Sequence, residues 1–251
     1  LKDWDNVTVI NEDILKVDIA KLAEEKNEGR PIKVVANLPY YITTPIVMKF
    51  LEEDIPVTDI VVMVQKEVAD RMNAKPSTKD YGALSVAVQY YCDTEIVAKA
   101  PRHMFVPQPN VDSIVIGLHV RDEKKYVVDN EDIFFKTVKA SFGQRRKTLL
   151  NSLGGLGFLS KDQIREALQA ANIDEKRRGE TLSIEEFATL ANADDRVEMA
   201  LCHGDDIALN SATALWKIQH YWLTLSASHR KIKLSVSFVC LQKIQQERSR
   251  L

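Results

Sequence analysis

No cysteine pair, histidine cluster or glycine-rich loop in this 251-residue chain is spaced to close a disulfide, hold a metal ion or cradle a phosphate. The three cysteines, Cys92, Cys202 and Cys240, are far apart and odd in number. That argues against a disulfide framework and fits a reducing, cytoplasmic setting. The five histidines are scattered, so no metal is expected. The cluster Gly154-Gly155-Leu156-Gly157 does not follow a strand-like run, which excludes a phosphate loop there. No uncharged apolar run nears the ~18 residues of a membrane span. Leu1-Lys2-Asp3-Trp4-Asp5 has neither the basic start nor the apolar core of a signal peptide. It also lacks an initiator methionine, so the chain is expected to begin inside a longer protein. The formal net charge is −2, so any polyanion must be met by a local patch rather than a global field.

What is there divides into three stretches. Up to about Arg121, apolar runs alternate with helical patterns. Asn6–Ile10, Lys33–Ala36, Asp59–Val64, Glu95–Lys99 and Ser113–Val120 have strand character; Asp18–Glu28, Thr44–Glu53, Gln65–Ala74 and Ala83–Tyr91 have helical character. Alternation of this kind predicts an α/β fold with a mostly parallel sheet covered on both faces, the last two strands being candidates for an antiparallel addition at the edge. Pro45 is placed at the favoured first position of its helix. From 122 to 192 the pattern is helical only, through Asp132–Leu153, Lys161–Ala171 and Ile184–Ala191, with Ser183 and Glu186 spaced as a capping box. This predicts a first domain over 1–121 and a helical domain over 122–192. Residues 193–251 fit neither pattern. They hold two of the three tryptophans and two of the three cysteines. Leu209–Leu225 suits an amphipathic helix and Lys233–Leu241 a strand, but the region stays unassigned.

Asn37-Leu38-Pro39-Tyr40 directly follows the run Lys33–Ala36, which is expected to be a buried strand. An amide, a proline and an aromatic at the C-terminal end of a strand suit a ligand site, because open α/β sheets bind at that edge. Pro39 stiffens the turn and disfavours the α region for Leu38. Asn37 offers donor and acceptors, and Tyr40 a flat face on which a base can stack. The alternative is an Asx-type turn with Tyr40 packed at its rim. A second stiff segment, Phe105-Val106-Pro107-Gln108-Pro109-Asn110-Val111-Asp112-Ser113, brings Phe105 as a further aromatic face, or as a buried side chain under a proline-rich crossover. Glu12-Asp13 closes the first strand, either as a cofactor contact or as a helix cap. In Gln65–Arg71 the charges alternate, as on a solvated helix face with pairs such as Glu67–Arg71, and Gln65 is the residue nearest the strand end. Between Ile133 and Asn151 there are five cations and no acid, with Phe142 beside Arg145-Arg146-Lys147. This is a phosphate-contacting patch or a solvated helix face, which Lys176-Arg177-Arg178 can extend.

Taken together and in order, Asn37-Leu38-Pro39-Tyr40, Gln65-Lys66-Glu67-Val68, Tyr81-Gly82-x-Leu84-Ser85, Phe105-x-Pro107-x-Pro109-x-Val111-Asp112-Ser113, Phe142-x-Gln144-Arg145-Arg146-Lys147 and Arg177-Arg178-x-Glu180-x-Leu182-Ser183-x-x-Glu186-Phe187 resemble the ribosomal RNA adenine dimethyltransferase family. The resemblance covers residues 1–192. It is closest to the bacterial enzymes that make two adjacent N6,N6-dimethyladenosines in 16S rRNA. It implies a partial Rossmann-like S-adenosylmethionine-dependent methyltransferase sheet followed by a small helical domain. It implies S-adenosylmethionine as cofactor and 16S rRNA in the small ribosomal subunit as partner, for a cytoplasmic monomer without membrane attachment. By the same resemblance Asn37 and the backbone of Leu38-Pro39 hold the adenine N6. Tyr40 and Phe105 stack on the base, Asp13 and Asn37 contact the cofactor, and Arg145, Arg146 and Lys147 grip the RNA backbone.

The family's Glu-x-Gly-x-Gly-x-Gly loop and its second strand have no match here, so the chain is expected to start at the family's third strand. Weak or absent S-adenosylmethionine binding follows. An inactive RNA-binding or ribosome-assembly module is therefore the alternative to an active transferase.

Overall fold

The computed structural model describes residues 7–202 apart from 54 and 158, with side chains as far as residue 194. The regular elements are α1 (Ile19–Asn27), β1 (Ile32–Asn37), α2 (Thr43–Glu52), β2 (Val57–Gln65), α3 (Lys66–Met72), α4 (Ala83–Tyr91), β3 (Cys92–Ala100), β4 (Ser113–Val120), α5 (Glu131–Gly143), α6 (Leu149–Leu153), α7 (Lys161–Ala170) and α8 (Ile184–Cys202). They fall into two compact units. Among the described residues, one holds 7–65 and 96–120; the other holds 66–95 and 121–202. The helix and strand expected within 209–225 and 233–241 lie outside the described residues. Among the described residues no helix is long and apolar enough to cross a membrane.

The first unit is built on a four-stranded sheet of order β1-β2-β4-β3. β1 and β2 run parallel, joined through α2, as parallel neighbours require a crossover. β4 runs antiparallel to β2. The sheet is therefore mixed rather than mostly parallel, and the last two strands are added together on one side as expected, β4 antiparallel beside β2 and β3 at the edge. One face buries Val34, Ile60, Val62, Val64, Ile114, Ile116 and Leu118. The other does not close: Val35 is 60% exposed, so β1 is not the buried strand its composition predicts. β1 forms one edge, and a side chain there is buried only where something lies over it. Near the opposite end of β1, Lys33 Nζ lies 3.0 Å from Asp59 Oδ2, and His119 Nδ1 lies 2.9 Å from Asp59 Oδ1. These residues face one another across three strands. His119 first, and Lys33 next, hold the Asp59 carboxyl at about 2, below the ordinary carboxylate range.

Two local expectations are corrected. Residues 7–10 form no strand despite their β-rich composition, because an extended segment becomes a strand only with a ladder partner. α2 starts at Thr43, so Pro45 is its third residue, still within the turn whose N–H groups have no helical acceptor.

The second unit is helical. Tyr81, Val86, Tyr90, Phe134, Leu149, Ile164 and Phe187 belong to one buried cluster. Tyr90 and Phe134 rings lie 4.7 Å apart, and Phe142 bridges Tyr81 (5.8 Å) and Phe187 (5.7 Å). Local chemistry sets the helix starts. Asn130 accepts from the N–H groups of Asp132 and Ile133, and Ser160 with Gln163 closes a capping box. The expected box of Ser183 and Glu186 forms, with N···O distances of 2.8 and 3.1 Å. In α3 the i,i+4 ion pair that forms is Lys66 with Asp70.

Candidate functional site

The end of β1 carries the first candidate site. Asn37 is the last residue of the strand, in register with Met63, and its side chain is exposed. The Leu38 N–H donates to the Met63 carbonyl at 3.4 Å, while the Leu38 side chain is 2% exposed and anchors the turn in the core. The Pro39 carbonyl accepts from the Ile42 N–H and the Thr43 hydroxyl, both at 3.1 Å. Those bonds lead the turn directly into α2. The Tyr40 hydroxyl lies 2.8 Å from the hydroxyl of Ser113, which is buried and opens β4. Ser113 is in turn the register partner of Gln65, the last residue of β2. Asn37, Tyr40, Gln65 and Ser113 thus share one end of the sheet. The Tyr40 ring is held both by its backbone turn and by its hydroxyl, so little rotamer freedom remains to be lost when a ligand stacks on it.

The proline-rich loop ends at the same strand. Its base is closed by the Arg102 N–H donating to Asp112 Oδ1 at 2.9 Å. Phe105 is half-buried after a short helical turn over Arg102–Met104, and its N–H donates to the Arg102 carbonyl at 3.3 Å. The Val106–Pro107 peptide is cis. Asp13 is exposed on a turn before α1; its Oδ1 accepts from the Leu15 N–H at 3.1 Å, and its carbonyl accepts from Lys16 and Val17. That is a turn-capping role.

Among the described residues only Gly29 and Gly157 are glycines with positive φ, and neither follows a strand. The described residues therefore form no glycine cradle for a nucleotide-like cofactor. What they offer is an exposed amide, a stiff turn and an anchored aromatic ring at one sheet end. Cys92 supplies no nucleophile, since it is buried and burial pushes its thiol up to about 12.

The basic run belongs to the helical unit. α5 ends at Gly143, and Gln144–Lys147 form a turn before α6, so the cations do not lie on the continuous helix face expected over 132–153. Arg145, Arg146 and Lys147 are all exposed. Arg145 Nη2 donates to the Lys79 carbonyl at 3.0 Å, and its Nε lies 3.6 Å from Glu180 Oε2. Of the second basic run, Arg177 is a structural clamp rather than an extension of the patch. It donates to the Thr181 carbonyl at 2.7 Å and pairs with both oxygens of Glu186. The Arg177 guanidinium beside it holds the Glu186 carboxyl below its usual range. Arg178 stays exposed.

Two residues have roles that no motif reveals. Ser113, which closes the proline-rich motif, anchors Tyr40 across 73 positions of sequence, a pairing without local signal. Gly179 lets its loop approach α5. A Cβ there would lie 2.7 Å from the Ser141 carbonyl oxygen, closer than packing allows.

The sequence profile of the family described as Ribosomal RNA adenine dimethylase matches residues 1–193. A Ribosomal RNA small subunit methyltransferase A from Clostridioides difficile (strain 630) is 83% identical over 192 residues, covering 76% of this chain and 66% of that protein. A protein of the same name from Alkaliphilus metalliredigens (strain QYMF) is 63% identical over 191 residues, covering 76% and 67%. A crystal structure of a dimethyladenosine transferase from Plasmodium falciparum superposes with a TM-score of 0.54 at 25% identity, over 63% of this chain and 65% of that one. The chain thus spans about two thirds of the length of the relatives it matches. With that family's profile covering residues 1–193, this chain belongs to the ribosomal RNA adenine dimethylase family.

Proposed function

We propose that this chain carries the acceptor-binding and RNA-gripping parts of a transferase that moves methyl groups from S-adenosylmethionine to N6 of two adjacent adenosines in 16S rRNA. Its setting is small-subunit biogenesis in the cytoplasm, and it acts as a monomer. The observation that carries this reading is the exposed Asn37 amide beside a Tyr40 ring pinned by Ser113 at one sheet end.

An adenine amine is a weak nucleophile because its lone pair is delocalised into the ring. Acceptors at N6 favour a tetrahedral nitrogen and so localise that pair, an electrostatic gain confined to the transition state. The Pro39 carbonyl is already engaged by Ile42 and Thr43. The Asn37 amide oxygen and the Leu38 carbonyl are therefore the acceptors we assign, with Pro39 acting through stiffness. Tyr40 and Phe105 receive the base, which must leave its stack at a cost of a few kcal/mol offset by stacking of about 1–3 kcal/mol per aromatic face. No general base is required, since the methylated amine is acidic. Arg145, Arg146 and Lys147 contact the rRNA backbone. S-adenosylmethionine supplies an electrophilic methyl when bound. Asp13 and Asn37 are the contacts we assign to it, but the described residues do not make a full donor site.

Incubation with radiolabelled S-adenosylmethionine and unmethylated small ribosomal subunits tests the reading. Label in N6,N6-dimethyladenosine, lowered about 10²–10³-fold by Asn37→Ala, is the expected result for the active enzyme. Retained subunit binding without label would overturn methyl transfer by this chain and leave an RNA-binding module.

A further inference from the structure

The segment Lys75-Pro76-Ser77-Thr78-Lys79-Asp80 lies between α3 and α4, far in sequence from the basic turn. The fold brings the two together. The Ser77 N–H donates to the Glu180 carbonyl at 2.7 Å, and Arg145 Nη2 donates to the Lys79 carbonyl at 3.0 Å. Glu180 stands between two arginines, 3.6 Å from Arg145 Nε and 3.9 Å from Arg178 Nη1. Three separate stretches of chain therefore form one surface. It presents Lys75, Lys79, Arg145, Arg146, Lys147 and Arg178, all exposed.

The loop is also braced from within. The Thr78 hydroxyl donates to the Lys75 carbonyl at 2.7 Å, and the Tyr81 hydroxyl donates to the Leu182 carbonyl at 2.9 Å. Ser77 is held at φ 66, a left-handed conformation that costs a non-glycine residue energy and persists only where its surroundings enforce it. The two lysines are thus presented on a shaped loop rather than on a fluctuating one.

We infer that the Lys75–Asp80 loop is a second RNA-backbone contact of this chain, continuous with the Arg145–Lys147 turn. Lys75 and Lys79 meet phosphates beside those met by Arg146, Lys147 and Arg178. Arg145 acts chiefly as the tie between loop and turn, because its guanidinium is engaged by the Lys79 carbonyl and Glu180. Six exposed cations against two acids in these stretches, Asp80 and a half-buried Glu180 at 29% side-chain exposure, favour a polyanion over a protein partner of mixed charge. A predominance of cations spread over a broad surface contacts the backbone, not base edges, so the loop adds affinity without sequence preference.

This inference rests on the RNA-binding part of the proposed function, and the test separates the two. Binding of the full chain to unmethylated small ribosomal subunits is measured across a series of salt concentrations. The paired variants are Lys75→Ala with Lys79→Ala, Lys75→Arg with Lys79→Arg, and Arg146→Ala with Lys147→Ala. The alanine pair in the loop is expected to weaken binding several-fold at low salt and to flatten the logarithmic salt dependence by about two units, one per lost phosphate contact. The arginine pair is expected to keep both. A loop alanine pair that binds with the original salt slope, while the turn pair weakens binding, would overturn the loop's role alone. If neither pair alters binding, the helical unit's RNA contact fails, and this inference with it.

Discussion

In the helical unit Phe134, Leu149, Leu153, Ile164 and Phe187 are fully buried, and Val127 is the single large apolar side chain left exposed among its described residues. The sheet unit exposes Val9, Val35, Tyr41, Val97, Met104, Val106 and Val111. Both units bury long apolar side chains, so the contrast is not one of composition. It is one of closure. Helices that wrap a common cluster enclose it from several sides, whereas a sheet has two faces and two edges and needs something over each. The helical unit is thus the self-sufficient part of the described chain, and the sheet unit the part with surface left to occupy. Of the sheet unit's exposed apolar residues, Tyr41, Met104, Val106 and Val111 flank the turn and loop of the proposed adenine site, where exposure has a use.

This contrast can be broken at its strongest point by Phe187→Ala, which empties the middle of the helical core. A loss of about 3–5 kcal/mol in urea unfolding is expected; a loss below about 1 kcal/mol would mean that the cluster is not tightly enclosed. Gly179→Ala comes next, since the added methyl meets the Ser141 backbone. A cost of about 1–3 kcal/mol is expected from such overpacking, read as a lower thermal midpoint, with Gly179→Ser no better tolerated.

Acid is expected to act on both units more gently. Arg177 depresses Glu186 in the helical unit, and His119 with Lys33 depresses Asp59 in the sheet unit. A carboxyl with a lowered folded pKa stabilises fully above its unfolded value near 4 and loses that contribution as pH falls through the folded value. For Asp59 the window therefore runs from about 4 down to about 2. Its contribution is at most about 1 kcal/mol, because the row is solvent-screened. Asp59→Asn is expected to flatten the sheet unit's share of the acid dependence between about pH 4 and pH 2. The smallest effect belongs to Val106→Ser. Val106 is fully exposed, so its stability change is expected within about 0.5 kcal/mol. A larger loss would show that this loop is packed after all and would erase the contrast between the units.

The helices were largely legible in advance. Ala83–Tyr91, Lys161–Ala170 and the capped start at Ser183 follow from apolar spacing and cap chemistry, which act within a few residues. The strand over Ser113–Val120 was equally plain. Asn37–Tyr40 stood out because a proline and an aromatic at a strand end have few structural uses. What local pattern could not supply was pairing. Asn6–Ile10 has the composition of a strand but no ladder partner at residues 7–10. The 132–153 helix breaks where Gln144 ends α5 and the cations form a turn. The role of Arg177 stayed open because its charge is visible in sequence and its pairing with Glu186 is not.

By itself the sequence determined most helix starts, the strand-end turn and the family, since each rests on residues close together along the chain or on motifs kept in order. Tertiary structure alone decided that β4 lies antiparallel beside β2, that Ser113 holds Tyr40, and that Gly179 must be small. It also decided that Lys75 and Lys79 join Arg145–Lys147 on one surface. The physical reason is range. Caps, turns and helical periodicity act between near neighbours, while register, close approach and charge clustering depend on which distant segments the buried core brings together.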